Sequence, residues 1–250
     1  MIPGWPVALT VAGSDSGGGA GIEADLKTFQ AHGVWGTAAL TAVTAQNHRG
    51  VLASALIDPA MVRAQIEAVA ELAPVGAWKT GMLGDAAVIE AVAAAAEELP
   101  LGPLVVDPVQ AASRGGSLLE PDAVPVLAAR LLPRCAVFTP NLPEAEVFLG
   151  QPITSRRDMP EAAAALGRLG PACVFLKGGH LDGPEAPDLV WTPDGATWLE
   201  GVRIPAAHSH GTGCTLSAAV AAGLARGLPV IDACRAARDY VRTALAALIY

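Results

Sequence analysis

Short apolar runs rich in β-branched residues alternate along this chain with longer segments rich in alanine, leucine and glutamate. The short runs have the length of buried strands, and the longer segments are long enough for helices. This alternation is typical of βα units and predicts an α/β fold, with a central mainly parallel sheet flanked by helices on both faces. Predicted strands are residues 7–11, 38–44, 51–56, 76–79, 104–107, 136–139 and 173–177, followed by a hairpin of residues 189–192 and 197–200. Predicted helices are residues 20–32, 59–72, 85–99, 122–131, 143–149, 158–170, 211–226 and 230–249.

Residues with strong positional preferences mark several helix starts. Pro59 and Pro143 suit a first helical position, and Asp58, Asp85 and Asp158 suit N-caps. No internal repeat, linker or change of composition interrupts the chain, so we expect one domain over residues 1–250. Segment 181–187 is rich in glycine, proline and acidic residues, which predicts a mobile loop.

Composition narrows the class of protein. Of the 250 residues, 52% are hydrophobic and 16% are charged, which supports a sizeable core and excludes a disordered chain. The formal net charge is -8, so the surface repels phosphate backbones and we expect no nucleic-acid partner. The longest apolar stretches are shorter than the roughly 18 residues that span a membrane. The four cysteines form no CxxC pair and the first residues carry no basic segment, which favours a reduced, cytoplasmic protein without a signal peptide.

Polar residues and glycines recur directly after the predicted strands. Because the carboxyl ends of parallel strands meet at one edge of a sheet, where ligands bind, we expect these segments to share a site. The segments are Gly13-Ser14-Asp15, Lys79-Thr80-Gly81-Met82, Asp107-Pro108-Val109, Thr139-Pro140-Asn141 and Lys177-Gly178-Gly179-His180.

The most informative single motif opens the helix predicted from residue 211. In His210-Gly211-Thr212-Gly213-Cys214-Thr215, two glycines allow a tight turn, and backbone N–H groups then lie exposed at a helix N-terminus. Such amides form an anion hole suited to a transferring phosphoryl group. No Gly-Lys-Ser/Thr sequence is present, so the motif is not a Walker-type P-loop.

A second glycine-rich stretch, residues 13–21, also lies between a predicted strand and a predicted helix. Its spacing does not fit a dinucleotide fingerprint, because Ile22 stands where the third glycine is required. We interpret it as a flexible loop over a small substrate, with Asp25 projecting from the following helix.

Taken in order, the motifs resemble those of the hydroxymethylpyrimidine/phosphomethylpyrimidine kinases of thiamine biosynthesis, which belong to the ribokinase-like superfamily. The resemblance extends from about Val7 to Ala219. Its motifs are Gly13-Ser14-Asp15, Gly17-Gly18-Gly19-Ala20-Gly21-Ile22-Glu23-Ala24-Asp25, Gln46-Asn47, Lys79-Thr80-Gly81-Met82, Asp107-Pro108-Val109, Thr139-Pro140-Asn141, Glu144, Lys177-Gly178-Gly179-His180 and His210-Gly211-Thr212-Gly213-Cys214-Thr215.

The resemblance implies a ribokinase-like fold and an ATP-dependent kinase that works as a homodimer. It would phosphorylate the alcohol of 4-amino-5-hydroxymethyl-2-methylpyrimidine, and then the resulting monophosphate to the pyrophosphate. The substrate-binding residues that it implies are Gly13, Asp25, Gln46, Met82 and Val109. Those implied for ATP are Asn141 and Lys177, those for Mg²⁺ are Asp107 and Glu144, and those for catalysis are Gly211, Thr212, Gly213 and Cys214.

Three questions stay open at this level. Cys214 stands where most ribokinase-like sugar kinases carry an aspartate base. A thiol at a helix N-terminus is expected to have a lowered pKa, so Cys214 would act as a thiolate that assists deprotonation of the accepting hydroxyl. The alternative is that the backbone anion hole alone is sufficient for phosphoryl transfer. Arg114 keeps a positive charge in a loop, residues 110–115, that departs from the family's usual sequence. The rival interpretations are a pyridoxal kinase, or one of dual specificity, and a non-catalytic sensor of a pyrimidine or nucleotide.

Overall fold

Strands and helices alternate along the parts of the chain that the computed structural model describes, residues 4–47, 50–110, 118–205 and 210–247. The strands are β1 (Val7–Ala12), β2 (Trp35–Leu40), β3 (Ala42–Asn47), β4 (Gly50–Leu56), β5 (Val75–Thr80), β6 (Leu104–Val106), β7 (Cys135–Phe138), β8 (Val174–Leu176), β9 (Asp188–Thr192) and β10 (Gly195–Leu199). The helices are α1 (Gly21–Ala31), α2 (Pro59–Leu72), α3 (Ala86–Glu98), α4 (Ala123–Arg130), α5 (Leu142–Leu149), α6 (Met159–Gly167), α7 (Thr212–Ala225) and α8 (Val230–Ala247), with a 3-10 turn at Leu132–Arg134.

An eight-stranded sheet is the centre of the fold. Its spatial order is β10-β9-β8-β7-β6-β5-β1-β2, and β3 with β4 forms a separate two-stranded antiparallel sheet. The strands from β2 across to β8 pair in parallel, whereas β9 and β10 form an antiparallel hairpin at the far edge. The prediction of a mainly parallel sheet with a closing hairpin is therefore confirmed.

Alternating side chains of the sheet enter two separate hydrophobic clusters. On β1, Leu9 and Val11 pack into a cluster supplied by α2 to α6, whereas Ala8 packs into a cluster supplied by α1, α7 and α8. Helices therefore cover both faces, as predicted. Helix α7 is buried along nearly its whole length because its residues are almost all small or apolar, and it lies against β1, β5 and β6. This burial fixes the position of its N-terminus.

One predicted strand, residues 38–44, is wrong as a single unit. The chain breaks at Thr41, so that β2 stays in the main sheet and β3 leaves it to pair with β4. The Thr41 backbone N–H donates to the carbonyl of Ala12 at 3.0 Å, and its hydroxyl donates to that of Met82. These contacts with distant segments, rather than a local breaker residue, divide the apolar run.

The helix starts follow local capping chemistry in two of the three predicted cases. Asp58 accepts a bond from Ala60 N and Asp85 accepts one from Val88 N, each at 2.8 Å. Asp158 also stands at the predicted N-cap position of α6, but its side chain makes no cap bond. Its carboxylate instead accepts bonds from the backbone N–H groups of residues 154 and 155 in the preceding turn.

A few predictions lie at or beyond the described residues. The last predicted helix is observed as α8 up to Ala247, and residues 248 and 249 lie outside the described part, as does Arg114. Among the described residues, no helix combines the length and the apolar character needed to cross a bilayer.

Candidate active site

A cavity of about 920 Å³ opens at the carboxyl ends of β1, β5, β6, β7 and β8. The turns that follow these strands supply much of its wall, as expected for an open parallel sheet. Every residue assigned to the site from the sequence lines this cavity except Asp25. The lining residues among them are Gly13, Gln46, Met82, Asp107, Val109, Asn141, Glu144, Lys177, Gly211, Thr212, Gly213 and Cys214.

The N-terminus of α7 forms one wall of the cavity. Gly211 is its N-cap, with a left-handed backbone conformation at φ 79°, and Thr215 N donates to the Gly211 carbonyl at 2.9 Å. An added Cβ on Gly211 would lie 1.8 Å from the carbonyl oxygen of Gly19, so only glycine fits here. The first turn of this helix carries backbone amides without intrahelical acceptors and the positive end of the helix dipole. We call this first turn, residues 211–214, the anion cradle.

Charged side chains lie directly beside the anion cradle. An ideal Cβ on Gly213 would be 3.5 Å from Lys177 Nζ and 3.7 Å from Asp107 Oδ2. The Lys177 ammonium lies 3.4 Å from Asp107 Oδ1 and 3.8 Å from Glu144 Oε2. A group bound by the cradle would therefore meet one cation and two carboxylates at once.

Burial and mutual attraction set the protonation of this cluster. Burial raises the pKa of Glu144, and the nearby Lys177 offsets this only in part. Burial opposes the charge on Lys177, but Asp107 and Glu144 outweigh it, so the pKa of Lys177 is raised. Lys177 is therefore a cation at neutral pH and is able to meet phosphate oxygens.

Asn141 and Glu144 form a capping box at the start of α5. Asn141 N donates to Glu144 Oε2 at 2.8 Å, and Glu144 N donates to Asn141 Oδ1 at 2.9 Å. The box fixes the Glu144 carboxylate against Lys177. It also engages Glu144 Oε2, so a cation bound here would have to share that carboxylate with the cap or reach it through water.

Asp107 is hydrogen-bonded by the hydroxyl of a serine that was not among the predicted site residues. Ser217, fully buried in α7, lies with its Oγ 3.1 Å from Asp107 Oδ2, and Thr139 Oγ1 lies 3.4 Å from Asp107 Oδ1. The spacing of Ser217, one helical turn after Gly213, is the signal in the sequence that could have identified it. Within the described residues there is no cluster of three or more histidine, cysteine, aspartate or glutamate side chains that could hold a metal ion alone.

A further part of the cavity wall is lined by uncharged side chains. An added Cβ on Gly13 would lie 3.0 Å from Met82 Sδ, so the glycine makes room for the thioether. Gln46 and Val109 also line this part, and both are half-buried. A thioether, an aliphatic side chain and an amide suit a flat ring with polar edges.

Asp25 is not among the residues that line the cavity. Its side chain is fully buried, and it accepts bonds from Thr10 Oγ1 at 2.6 Å and from Lys79 Nζ at 3.0 and 3.1 Å. Lys79 is also fully buried. Asp25 thus has protein partners, and its contact with a substrate stays a prediction.

The thiol of Cys214 does not have the expected chemistry. Burial raises the pKa of Cys214 to about 11, and the favourable influences of Lys79 and of a hydrogen bond from Gly21 N–H do not compensate. The expectation of a lowered pKa is therefore wrong. Desolvation is the largest influence on the pKa of this sulfur.

Asp15 and His210 are site residues whose roles the sequence analysis missed. Asp15 accepts bonds from Gly17 N at 2.8 Å, Ala20 N at 2.9 Å and Gly19 N at 3.1 Å, and its Oδ2 lies 2.9 Å from His210 Nε2. Burial opposes the negative charge of Asp15, but these bonds outweigh it and the pKa of Asp15 is lowered. An aspartate inside a glycine-rich turn is a signal for such backbone bonds.

Arg203 organises the turn after β8, where a mobile loop was predicted for residues 181–187. Its guanidinium donates to the carbonyls of Gly179 at 2.7 Å and of Gly183 at 3.0 Å. It also donates to the carbonyls of Leu181 and Glu185. The segment thus makes several hydrogen bonds to Arg203, and Ala186 and Arg203 line the cavity.

Comparison with known proteins agrees with this geometry. Residues 15–249 match the family model described as phosphomethylpyrimidine kinase. A hydroxymethylpyrimidine/phosphomethylpyrimidine kinase of Rhizobium meliloti is 48% identical, over 96% of this chain and 91% of that protein. The crystal structure of phosphomethylpyrimidine kinase from Clostridium difficile is 39% identical with a TM-score of 0.85, covering 96% of this chain and 99% of that one.

Solved pyridoxal kinases share the fold as well. The ADP complex of Bacillus subtilis pyridoxal kinase has a TM-score of 0.89 and 39% identity, covering 97% of this chain and 92% of that one. These neighbours confirm the ribokinase-like architecture expected from the motifs. Since the family model and relatives of this identity span nearly the whole chain, the chain belongs to the phosphomethylpyrimidine kinase family and is an ATP-dependent phosphotransferase.

Proposed function

We propose that this protein phosphorylates the hydroxymethyl group of 4-amino-5-hydroxymethyl-2-methylpyrimidine, and then its monophosphate to the pyrophosphate, in thiamine biosynthesis. One observation carries the proposal: the anion cradle and Lys177 share a single cavity with Gln46 and Met82. A phosphoryl donor and a small flat acceptor therefore fit side by side. The names of the relatives support the same substrates.

On the acceptor side, Met82 and Val109 would flank the pyrimidine ring, while the Gln46 amide would bond its polar edge. Gly13 would allow the ring to approach the backbone closely. Asp25 would act from below, because its ion pair with Lys79 supports the floor of the site. These roles orient the alcohol toward the cradle, and orientation of this kind supplies much of the rate enhancement in such reactions.

On the donor side, Lys177 and the amides of residues 211–214 would bind ATP phosphates and stabilise charge in the transition state. Asn141 would contribute through the cap that fixes α5. Asp107 and Glu144 fit Mg²⁺ as hard oxygen ligands, with phosphate oxygens and water completing the shell. Bound there, Mg²⁺ would neutralise charge on the transferring group. The raised pKa of Cys214 supports the interpretation in which the backbone cradle, not a thiolate, carries the transfer.

Mass analysis of products after incubation with Mg-ATP and the pyrimidine alcohol tests the proposal. We expect the monophosphate first and the pyrophosphate later, and we expect excess chelator to stop both. No phosphorylated pyrimidine at any time, with ATP and ligand both bound, would favour a sensor.

Pyridoxal is a second candidate acceptor, because solved pyridoxal kinases have TM-scores of 0.89 with this chain. A coupled ADP-release assay that compares the two alcohols at matched concentrations decides between them. We expect a higher kcat/KM for the pyrimidine. A higher value for pyridoxal would assign the protein to the second activity.

We also propose that the protein is a cytoplasmic homodimer. Large apolar side chains are exposed on β3 and β4, with Val43 49% and Leu52 70% accessible, which supports burial against a second copy. Light scattering should then give about twice the 25.3 kDa mass of one chain. A mass equal to one chain would contradict the dimer.

A further inference from the structure

His210 joins the two glycine-rich segments of the site. Its Nε2 lies 2.9 Å from Asp15 Oδ2 and 3.3 Å from Gln46 Nε2. Asp15 belongs to the loop on the acceptor side, Gln46 is the penultimate residue of β3, and His210 directly precedes the anion cradle. The Nε2 atom of His210 therefore contacts the two segments that would hold the pyrimidine. The backbone of His210 leads directly into the anion cradle, which would hold phosphate.

The chemistry of these three groups fixes their hydrogen-bonding roles. A carboxylate only accepts hydrogen bonds, so Nε2 of His210 must carry the proton that it shares with Asp15. A protonated Nε2 cannot also accept a bond from the Gln46 NH₂ group. The amide oxygen and nitrogen of glutamine are assigned from such networks, so the Gln46 oxygen is the atom that belongs beside Nε2. The Gln46 NH₂ group then faces away from the imidazole and is available to donate to a ligand.

Close packing makes the junction rigid. An added Cβ on Gly19 would lie 2.9 Å from His210 Cδ2, and one on Gly211 would lie 1.8 Å from the Gly19 carbonyl oxygen. Asp15 at the same time ties down the amides of residues 17, 19 and 20. The loop of residues 13–21 cannot move without disturbing either His210 or the cradle.

We propose that His210 is a positioning residue that fixes both the glycine loop and the orientation of the Gln46 amide relative to the anion cradle. This inference rests on the proposed function for the identity of the acceptor. Through Nε2–H and Asp15 it keeps the loop closed, and it turns the Gln46 NH₂ group toward a ring nitrogen of the pyrimidine. Its effect is on alignment of the alcohol with the phosphoryl group, not on affinity for ATP.

Two substitutions of His210 separate this role from a structural one. His210→Ala removes the donor, whereas His210→Gln restores an N–H near the position of Nε2. We expect kcat/KM for the pyrimidine to fall about 30-fold in His210→Ala, with KM for ATP within about threefold, because misalignment affects transfer more than ATP binding. His210→Gln should recover to within about fivefold of the unsubstituted enzyme. The matched control is His32→Ala, since His32 packs on Tyr240 away from the cavity.

Hydrogen exchange gives a readout that does not depend on activity. In His210→Ala, the amides of residues 17, 19 and 20 should exchange at least about tenfold faster, and in His210→Gln and His32→Ala they should not. Asp15→Ala combined with His210→Ala should be no worse than the poorer single variant by more than about twofold, because either single variant already abolishes the contact between the two side chains. Unchanged exchange in His210→Ala, equal losses with alanine and glutamine, or additive losses in the double variant would each overturn the proposal.

The two proposals can fail separately. If the unsubstituted enzyme phosphorylated no pyrimidine, the proposed function would fail, and exchange at residues 17, 19 and 20 would still decide whether His210 holds the loop.

Discussion

The buried ion pair between Asp25 and Lys79 offers the sharpest test of how the site is supported. Both side chains are fully buried, and Nζ of Lys79 lies 3.0 and 3.1 Å from the two carboxylate oxygens. Burial alone would lower the pKa of Lys79, but the adjacent Asp25 outweighs it and the pKa is raised. Asp25→Ala would therefore leave a buried lysine without its carboxylate.

The cost of that change follows from the burial. Removing one partner of a buried ion pair costs about 3–5 kcal/mol, because the remaining charge is uncompensated. Thr10, also fully buried, would lose the acceptor that its hydroxyl contacts at 2.6 Å, which favours the upper end of this range. For a chain of this length about 1 kcal/mol lowers Tm by about 2–4 °C, so we expect Tm to fall by about 6–20 °C.

Thermal and urea unfolding measure this loss, with Asp58→Ala as the matched control. Asp58 caps α2 through an exposed bond to Ala60 N, so its removal should cost only about 1 kcal/mol. A double variant, Asp25→Leu with Lys79→Met, should recover most of the stability, since apolar residues replace the pair at little net cost. If Asp25→Ala lost less than about 1 kcal/mol while KM for the pyrimidine rose steeply, Asp25 would be a substrate ligand after all and this reasoning would be refuted.

Three further predictions concern the cradle and its neighbours. Gly211→Ala should abolish activity because its Cβ would lie 1.8 Å from the Gly19 carbonyl oxygen. The control is Gly33→Ala, which has a similar φ of 69° and no atom within 4 Å of the added Cβ; it should lower the free energy of unfolding by about 1–2 kcal/mol and keep kcat/KM. Equal effects of the two substitutions would contradict the close approach at Gly211. Lys177→Met should lower kcat/KM for ATP by about 10- to 100-fold, because it removes a charge-assisted hydrogen bond to a phosphate. Initial-rate assays should show a nearly unchanged KM for the pyrimidine. A parallel rise of both KM values would count against a phosphate contact. Cys214→Ala should keep kcat within about tenfold of the unsubstituted enzyme. Alkylation of Cys214 in the native enzyme should be slow at neutral pH and should accelerate only as the pH approaches the thiol pKa of about 11. Rapid alkylation at pH 7, or a loss of several hundredfold in kcat, would show a reactive thiolate.

The periodicity of the sequence was sufficient for most of the fold. Buried parallel strands and helices differ in length and in residue type, so most element bounds agree with the prediction to within a residue or two. The failure at residues 38–44 has a different origin. No glycine or proline marks the break at Thr41, because contacts with Ala12 and Met82 from other parts of the chain determine it. Local patterns do not contain that information.

For the site, the sequence predicted which sheet edge the residues share but not how deeply each side chain is buried. Residues that follow parallel strands were expected at one sheet edge, and they line one cavity because parallel strands end on the same side. The full burial of Asp25 could not be predicted, because spacing along a helix gives a face but not a depth. The need for a partner could have been anticipated, because Lys79 follows the apolar start of a buried strand and a buried lysine requires an acidic partner.

The raised pKa of Cys214 favours the proposal that the anion cradle, rather than a thiolate, carries the transfer. Desolvation disfavours the anion of a thiol, and here it is the largest influence on the pKa, with the carboxylates of Asp25 and Asp107 adding to it. The same burial strengthens the electrostatic effect of the cradle amides and of Lys177 on a bound phosphoryl group, because less water screens them. Reduced solvation therefore disfavours a thiolate at Cys214 and strengthens the stabilisation of transferred charge by the cradle. The neutral thiol and the anion cradle are consistent with each other because they share this physical cause.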